Sequence, residues 1–252
     1  MGQTVRALIA SPLGHHVEER FARLLAPASV EVAADGDEVR RAVEGRVRFD
    51  VVLSDLTWRR PGADGCEPFD GLALLDLLAE LDRAAPVVYA VQGAWLEQDF
   101  VDEAVGRAET AALVRKTDTV DGMGAVVRAV AAGERHALPV PARRPLASWL
   151  GDGRRGETAA RMAGAIASGR ASDTRSLARA ASVSVSTAEK LASYVGPMML
   201  ERGEHDPALR LTSASVYRWC ALHAVFLVSW CRRHGLADVL GEGVARPGAT
   251  AG

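Results

Sequence analysis

Phe49-Asp50-Val51-Val52-Leu53-Ser54-Asp55 is the stretch on which the fold turns. Val51, Val52 and Leu53 place apolar side chains on both faces of an extended segment, and the segment stops at an acid. A strand that is apolar on both faces belongs inside a parallel sheet covered by helices above and below. In such sheets the functional side chains gather at the carboxyl ends of the strands. Asp55 is therefore the first candidate site residue.

The same alternation extends outward in both directions. Val5 to Ala10 is a short apolar run, and Val17 to Leu25 carries Val17, Phe21, Leu24 and Leu25 on one helical stripe. Ser29 to Ala33 alternates as a strand does, and Asp35-Gly36-Asp37 is a turn with a helix-capping acid before a helix over Val39 to Val43. Downstream, Asp70 to Leu78 reads as a helix, Pro86 to Val91 and Ala111 to Val114 as strands, and Val120 to Ala131 as the last helix. Five strand–helix repeats predict an α/β fold, a (βα)5 doubly wound domain over residues 1–133. Pro139, Pro141 and Pro145 predict a Pro/Arg spacer over 134–147. From Gly156 the strand signals fade, so 148–240 is expected to be mainly α and 241–252 a tail.

Length and composition agree with two soluble domains: 252 residues, 48% hydrophobic and 25% charged. The longest apolar run, Cys220 to Trp230, contains His223 and is too short to span a bilayer. With no signal-type N-terminus, a cytoplasmic protein without membrane association is expected. Cys66, Cys220 and Cys231 lack metal-ligand or disulfide spacing and read as idle thiols. The net charge of −2 hides an asymmetry: residues 1–139 carry 15 basic and 23 acidic side chains, a net of −8, and residues 140–252 a net of +6. A basic second half suggests a polyanionic partner, with compositional scatter as the alternative.

The first 133 residues resemble the receiver domain of bacterial response regulators. Ala34-Asp35-Gly36-Asp37-Glu38 is similar to the family's acidic turn, and Val51 to Leu56 to its acceptor strand. Pro61 and Asp70-Gly71-Leu72-Ala73-Leu74-Leu75 are similar to its proline and Asp-Gly-x-x-Leu-Leu helix, with about nine extra residues between. Leu113-Val114-Arg115-Lys116 resembles the strand ending in its lysine. The resemblance implies that Asp55 holds the phosphoacceptor position and that Ser11, Pro12, Val91 and Lys116 line the receiver pocket.

The departures bear on function. Where the family places two acids that help hold Mg²⁺, this chain has Ser11 and Pro12. Mg²⁺ demands near-octahedral oxygen coordination and neutralises phosphoryl oxygens during transfer. The hydroxyl position after the fourth strand is Val91, and the aromatic position in the fifth is Leu113. Asp55 is thus expected not to serve as a phosphoacceptor, but to pair with Lys116 in a structural salt bridge. Residual phosphorylation and a ligand in the altered pocket are the alternatives.

In the second half, residues 168–188 resemble a helix-turn-helix. Leu177, Ala178 and Ala181 would face inward, Ser182-Val183-Ser184 would turn, and Ser186-Thr187 would open a second helix to Val195. Gly196-Pro197 is expected to end it. Arg170, Arg175 and Arg179, with Ser186, Thr187, Lys190, Ser193 and Tyr194, are the candidate DNA contacts, because short polar groups at a helix start reach phosphates and base edges. An all-helical interaction bundle is the rival reading. The spacing first suggests a LuxR-type output domain. Leu209-Arg210-Leu211-Thr212 suggests instead a winged helix with a small β-wing. The apolar helix over Ser215 to His234 is read either as core or as a dimer face.

These readings converge on a DNA-binding transcriptional regulator of response-regulator type whose receiver-like domain is not phosphorylated. The implied partners are double-stranded DNA and a second copy of the chain. The alternative is an interaction protein whose receiver-like domain docks a protein or small ligand and whose second domain binds no DNA. No nucleophile–base pairing, metal cluster or phosphate-cradling glycine loop is apparent, so no enzyme, catalytic residue, metal or cofactor is expected.

Overall fold

The computed structural model describes residues 4–45, 48–58 and 68–242. Pro61, Cys66 and the tail from residue 243 lie outside them. The chain divides into two compact units, residues 1–141 and 142–252, described in turn.

In the first unit, β1 (Val5–Ala10), β2 (Ala28–Ala33), β3 (Val51–Asp55), β4 (Val87–Val91) and β5 (Thr110–Arg115) form one parallel sheet in the order β2-β1-β3-β4-β5. The connecting helices are α1 (Glu18–Leu25), α2 (Gly36–Glu44), α3 (Gly71–Glu80), α4 (Gln98–Ala104) and α5 (Val120–Ala131). This is the α/β alternation that the sequence predicts, in one of the two common doubly wound orders. Ile9, Leu53, Val88, Ala90 and Val114 pack with Phe21 and Leu25 of α1 and Val127 and Val130 of α5. The alternate residues Leu8, Val52 and Tyr89 are fully buried too. Burial of each large aliphatic side chain here contributes about 1.5–3 kcal/mol, and the one buried polar side chain of β3, Ser54, is satisfied by the Asp55 carbonyl.

Local chemistry sets the helix starts. Asp35 caps α2 by accepting the Glu38 amide, and Asp70 caps α3 by accepting the amides of Leu72 and Ala73 at 2.9 Å. Gly71 is required for a steric reason: a Cβ there would sit 2.6 Å from the Tyr89 ring and 2.7 Å from the Asp55 carbonyl oxygen. The Asp-Gly pair thus seats α3 directly against the end of β3.

Every secondary-structure element among the described residues of the second unit is a helix: α6 (Leu146–Leu150), α7 (Gly153–Ala167), α8 (Thr174–Ala180), α9 (Val185–Ala188), α10 (Leu191–Glu201), α11 (Ser213–Leu222), α12 (Ala224–Arg233) and α13 (Ala237–Leu240). α7 is the central element, contacting α6, α8, α10, α11, α12 and α13. Its Ala159, Ala160, Met162, Ala163 and Ala165 are almost completely buried. Gly164 admits Cys231, whose sulfur would lie 2.5 Å from a Cβ at that position.

Four expectations from the sequence need correction here. No β-wing exists among the described residues. Thr212 is instead the N-cap of α11, in a reciprocal cap with Ser215, and Leu211 inserts against Gly196, where even a methyl group would collide with it. A lone extended segment without a partner strand gains nothing from alternation. Gly196-Pro197 does not end a helix, because α10 runs through Pro197. The Ser193 carbonyl, which Pro197 has no N–H to reach, accepts from Arg155 Nη2 instead. The apolar stretch Ser215 to His234 is two helices broken at His223. Val216, Trp219, Cys220, Phe226, Leu227, Trp230 and Cys231 are all buried in it, so it is core rather than a free dimer face. The stretch read as spacer, 134–147, gives up its last residues to the second unit, because Leu146 is fully buried at the start of α6.

Candidate phosphoacceptor pocket and nucleic-acid interface

β3 ends beside β1 at the point where the strand order reverses, the usual position of a binding crevice in such sheets. Asp55 lies there, half-buried. Its Oδ2 is 2.9 Å from Lys116 Nζ and accepts the Ser11 hydroxyl at 2.8 Å. Ser11 Oγ in turn accepts the Leu13 amide at 3.2 Å. Lys116 is positioned by its own amide, which donates to the Val91 carbonyl at 2.8 Å. The Asp55 carbonyl oxygen is shared by the Ser54 hydroxyl and by Trp58 Nε1 at 3.0 Å. One carboxylate oxygen is therefore committed to a lysine and a serine.

These residues do not fit Mg²⁺. Ser11 spends its hydroxyl proton on Asp55 and one lone pair on Leu13, leaving a single neutral oxygen site, and Pro12 offers no side-chain oxygen. A hard divalent ion needs several oxygen ligands in near-octahedral array. No group of three or more His, Cys, Asp or Glu suited to a metal occurs among the described residues. Val91 is buried and offers no hydroxyl, and Leu113 is half-buried in β5.

Glu97 belongs to the same edge and was missed by sequence reasoning. It is 5% exposed. Its Oε1 accepts the Thr57 hydroxyl at 2.6 Å, and its Oε2 accepts the amides of Gln92 at 2.7 Å and Gly93 at 3.1 Å. In the sequence it is one acid among many, since its partners lie four, five and forty residues away.

In the second unit, α8 is opened by a reciprocal cap between Asp173 and Ser176 and closed by Ser182, a non-glycine residue at φ 54°. Ser184 then caps α9. The predicted second helix, Ser186 to Val195, is split at Glu189-Lys190. There the Ser193 hydroxyl and amide both take the Lys190 carbonyl, tightening the turn. Arg175, Arg179, Ser186, Lys190 and Ser193 are exposed on this segment.

Arg170, Thr187 and Tyr194 are otherwise engaged. Arg170 Nη1 donates to the Asp238 and Val239 carbonyls near the end of α13. The Thr187 hydroxyl bonds Ser184 at 2.8 Å, and Tyr194 lies under the Arg155 guanidinium at 5.3 Å. Val185, at the start of α9, is 48% exposed.

A second cluster in this unit centres on Glu204. It receives Trp219 Nε1 at 2.7 Å, Arg202 Nε at 3.1 Å, His223 Nε2 at 3.3 Å and Arg143 Nη1 at 2.5 Å. Burial alone would raise the Glu204 carboxyl pKa; hydrogen bonds from His223, Arg202 and Trp219 outweigh it and hold the group far below its ordinary 4.5. Cys231 is pushed up to about 12 by burial and Cys220 is raised likewise, so neither buried thiol is a nucleophile at neutral pH.

No protein-family model matches the chain, and no curated protein matches it. Among solved structures, the chain is similar to the Francisella response regulator 1452 receiver domain, at 17% identity over 52% of this chain and 98% of that one, with a TM-score of 0.40. It is similar over more of its length to RcsB in a structure of two RcsB dimers bound to two parallel DNAs: 13% identity, 90% and 99% coverage, TM-score 0.49. The Salmonella typhimurium RcsB response regulator gives 12%, 86% and 98%, and 0.42. Likeness at this level assigns no function to the chain. No helix among the described residues is long and apolar enough to cross a membrane.

Proposed function

We propose that this chain is a DNA-binding transcriptional regulator of response-regulator type whose receiver-like unit works without phosphorylation. The observation that carries the reading is the state of Asp55. Its Oδ2 is bound by Lys116 and Ser11, beside a proline where a second metal-holding acid would be needed. Phosphoryl transfer relies on metal and positioned donors to neutralise charge, and the Asp55 carboxylate has one lysine and one serine beside it. DNA binding is supported by the α8–turn–α9 arrangement, with Arg175, Arg179 and Lys190 exposed on a half of net charge +6. Arginine and lysine on phosphates provide affinity, and Ser186 and Val185 at the start of α9 can reach base edges and thymine methyl groups.

The chain acts as a homodimer, since one copy of so short a reading helix offers few base contacts and paired half-sites double them. Val216, Trp219, Phe226, Leu227 and Trp230 of the stretch Ser215 to His234 are spent on the core, which points the pairing to the receiver-like unit.

The test treats purified protein with acetyl phosphate and Mg²⁺, then follows Asp55 by mass spectrometry and assembly by sedimentation. The expected result is no adduct, and dimer already present at micromolar concentration in untreated protein. A stoichiometric Asp55 adduct that changed the oligomeric state would overturn the reading. A second reading, an interaction protein that binds no DNA, is favoured by the commitment of Arg170, Thr187 and Tyr194 to internal contacts and by the exposed Leu200, Leu209 and Leu222.

A further inference from the structure

The Glu97 carboxylate is held by neutral donors. Two consecutive amides, Gln92 and Gly93, converge on Oε2, and the buried Thr57 hydroxyl donates to Oε1. Gly93 adopts φ +77°, a conformation that costs other residues energy, and so turns the chain that carries Glu97. Successive amides turned to one point form a concave anion-binding nest. A buried hydroxyl directed at the second oxygen makes this nest complementary to a two-oxygen anion. No ion pair compensates Glu97 among the described residues, so three aligned dipoles offset the burial of its charge.

The position of the nest follows from the sheet. Gln92 directly follows Val91, whose carbonyl holds the Lys116 amide, and Thr57 lies two residues past Asp55. The nest therefore occupies the ends of β3 and β4, on the edge that carries the Asp55–Lys116 pair. Glu97 reaches it from the end of the short turn Trp95–Glu97 that leads into α4, in which Trp95 is 62% exposed.

We propose that the Gln92 and Gly93 amides with the Thr57 hydroxyl form an oxyanion-binding site whose resident anion is the chain's own Glu97 carboxylate. A free phosphate or small carboxylate takes the site when that arm is withdrawn. The segment 92–97 is then a two-position arm, closed while Glu97 is seated and open when an outside oxyanion replaces it. The inference is independent of the DNA-binding reading and holds whether or not that reading fails.

The experiment uses the full chain with Glu97→Ala, which removes the carboxylate and keeps the three donors. Thermal unfolding is followed in sodium formate and in sodium phosphate, each against chloride at matched ionic strength. Wild type is expected to show no anion-specific change. Glu97→Ala is expected to melt lower and to recover saturably with formate or phosphate; whichever anion acts at lower concentration identifies the preferred oxyanion. Adding Thr57→Val to Glu97→Ala should weaken the recovery. If Glu97→Ala does not fold, Glu97→Gln keeps the shape of the arm and the amide resonances of Gln92 and Gly93 serve instead. In wild type they should be downfield and slow to exchange, and in Glu97→Gln upfield and faster. An unchanged melting temperature in Glu97→Ala, an equal anion response in wild type and variant, or unaltered Gln92 and Gly93 resonances in Glu97→Gln would each overturn the proposal.

Discussion

Replacing Glu204 by glutamine tests the packing logic of the second unit. The carboxylate takes donors from Trp219, Arg202, His223 and Arg143, linking the start of the unit, the end of α10 and the α11–α12 break. The Arg202 side chain has no exposed surface. Glutamine keeps one acceptor oxygen but turns an NH₂ toward groups that are themselves donors, and removes the carboxylate charge that the buried Arg202 guanidinium meets at Glu204. Removing one partner of a buried pair costs about 3–5 kcal/mol, against the roughly 5–15 kcal/mol that stabilise a typical domain. For a unit of this size the melting temperature should fall by roughly 12 °C or more. The pH dependence has a definite sign. Because the folded-state pKa of Glu204 lies below its ordinary 4.5, its contribution is complete above pH 4.5 and is lost as the pH falls below that value. Wild type should lose stability in the second unit below pH 4.5, and Glu204→Gln should be flatter there. Calorimetry of both proteins from pH 7 to pH 3 measures this. A variant that melts within a few degrees of wild type, with the same acid profile, would refute the reasoning.

Three further outcomes are expected. Asp55→Asn should destabilise the first unit by about 1.5–3 kcal/mol in urea unfolding, because a charge-assisted contact to Lys116 is lost; a neutral effect would mean that the pair is not structural. Arg179→Ala and Lys190→Ala should each weaken binding to every DNA sequence and lower the slope of log affinity against log salt by about 0.9, read by fluorescence anisotropy; an unchanged slope would move the interface elsewhere. Ser182→Gly should stabilise the turn between α8 and α9 by up to about 1 kcal/mol, because Ser182 sits at φ 54°; destabilisation by that change would show that its side chain is needed there.

Much of the first unit was legible in the sequence because its signals are local. Val51, Val52 and Leu53 declare a doubly buried strand, Asp35 caps the helix it precedes, and Lys116 follows a short apolar strand. The rest was hidden because it depends on partners far apart in the chain. Glu97 is distinguished by Thr57 and a turn at Gly93, and Glu204 by Arg143, Trp219 and His223, none of which a periodic pattern connects. The α9–α10 break was missed for a different reason. The Ser193 hydroxyl competes for the Lys190 carbonyl, a choice to which propensity along a helix is blind. Leu209 to Thr212 misled because alternation describes a strand only when another strand is there to pair with it.

The most direct measurement of the central claim is binding of the untreated full-length protein to genomic DNA fragments across a salt series, with and without prior treatment with acetyl phosphate and Mg²⁺. The account predicts selective retention of particular fragments, affinity that falls steeply with salt, and the same curves after treatment. Binding to no fragment at low salt, or binding that arises only after treatment, would contradict it.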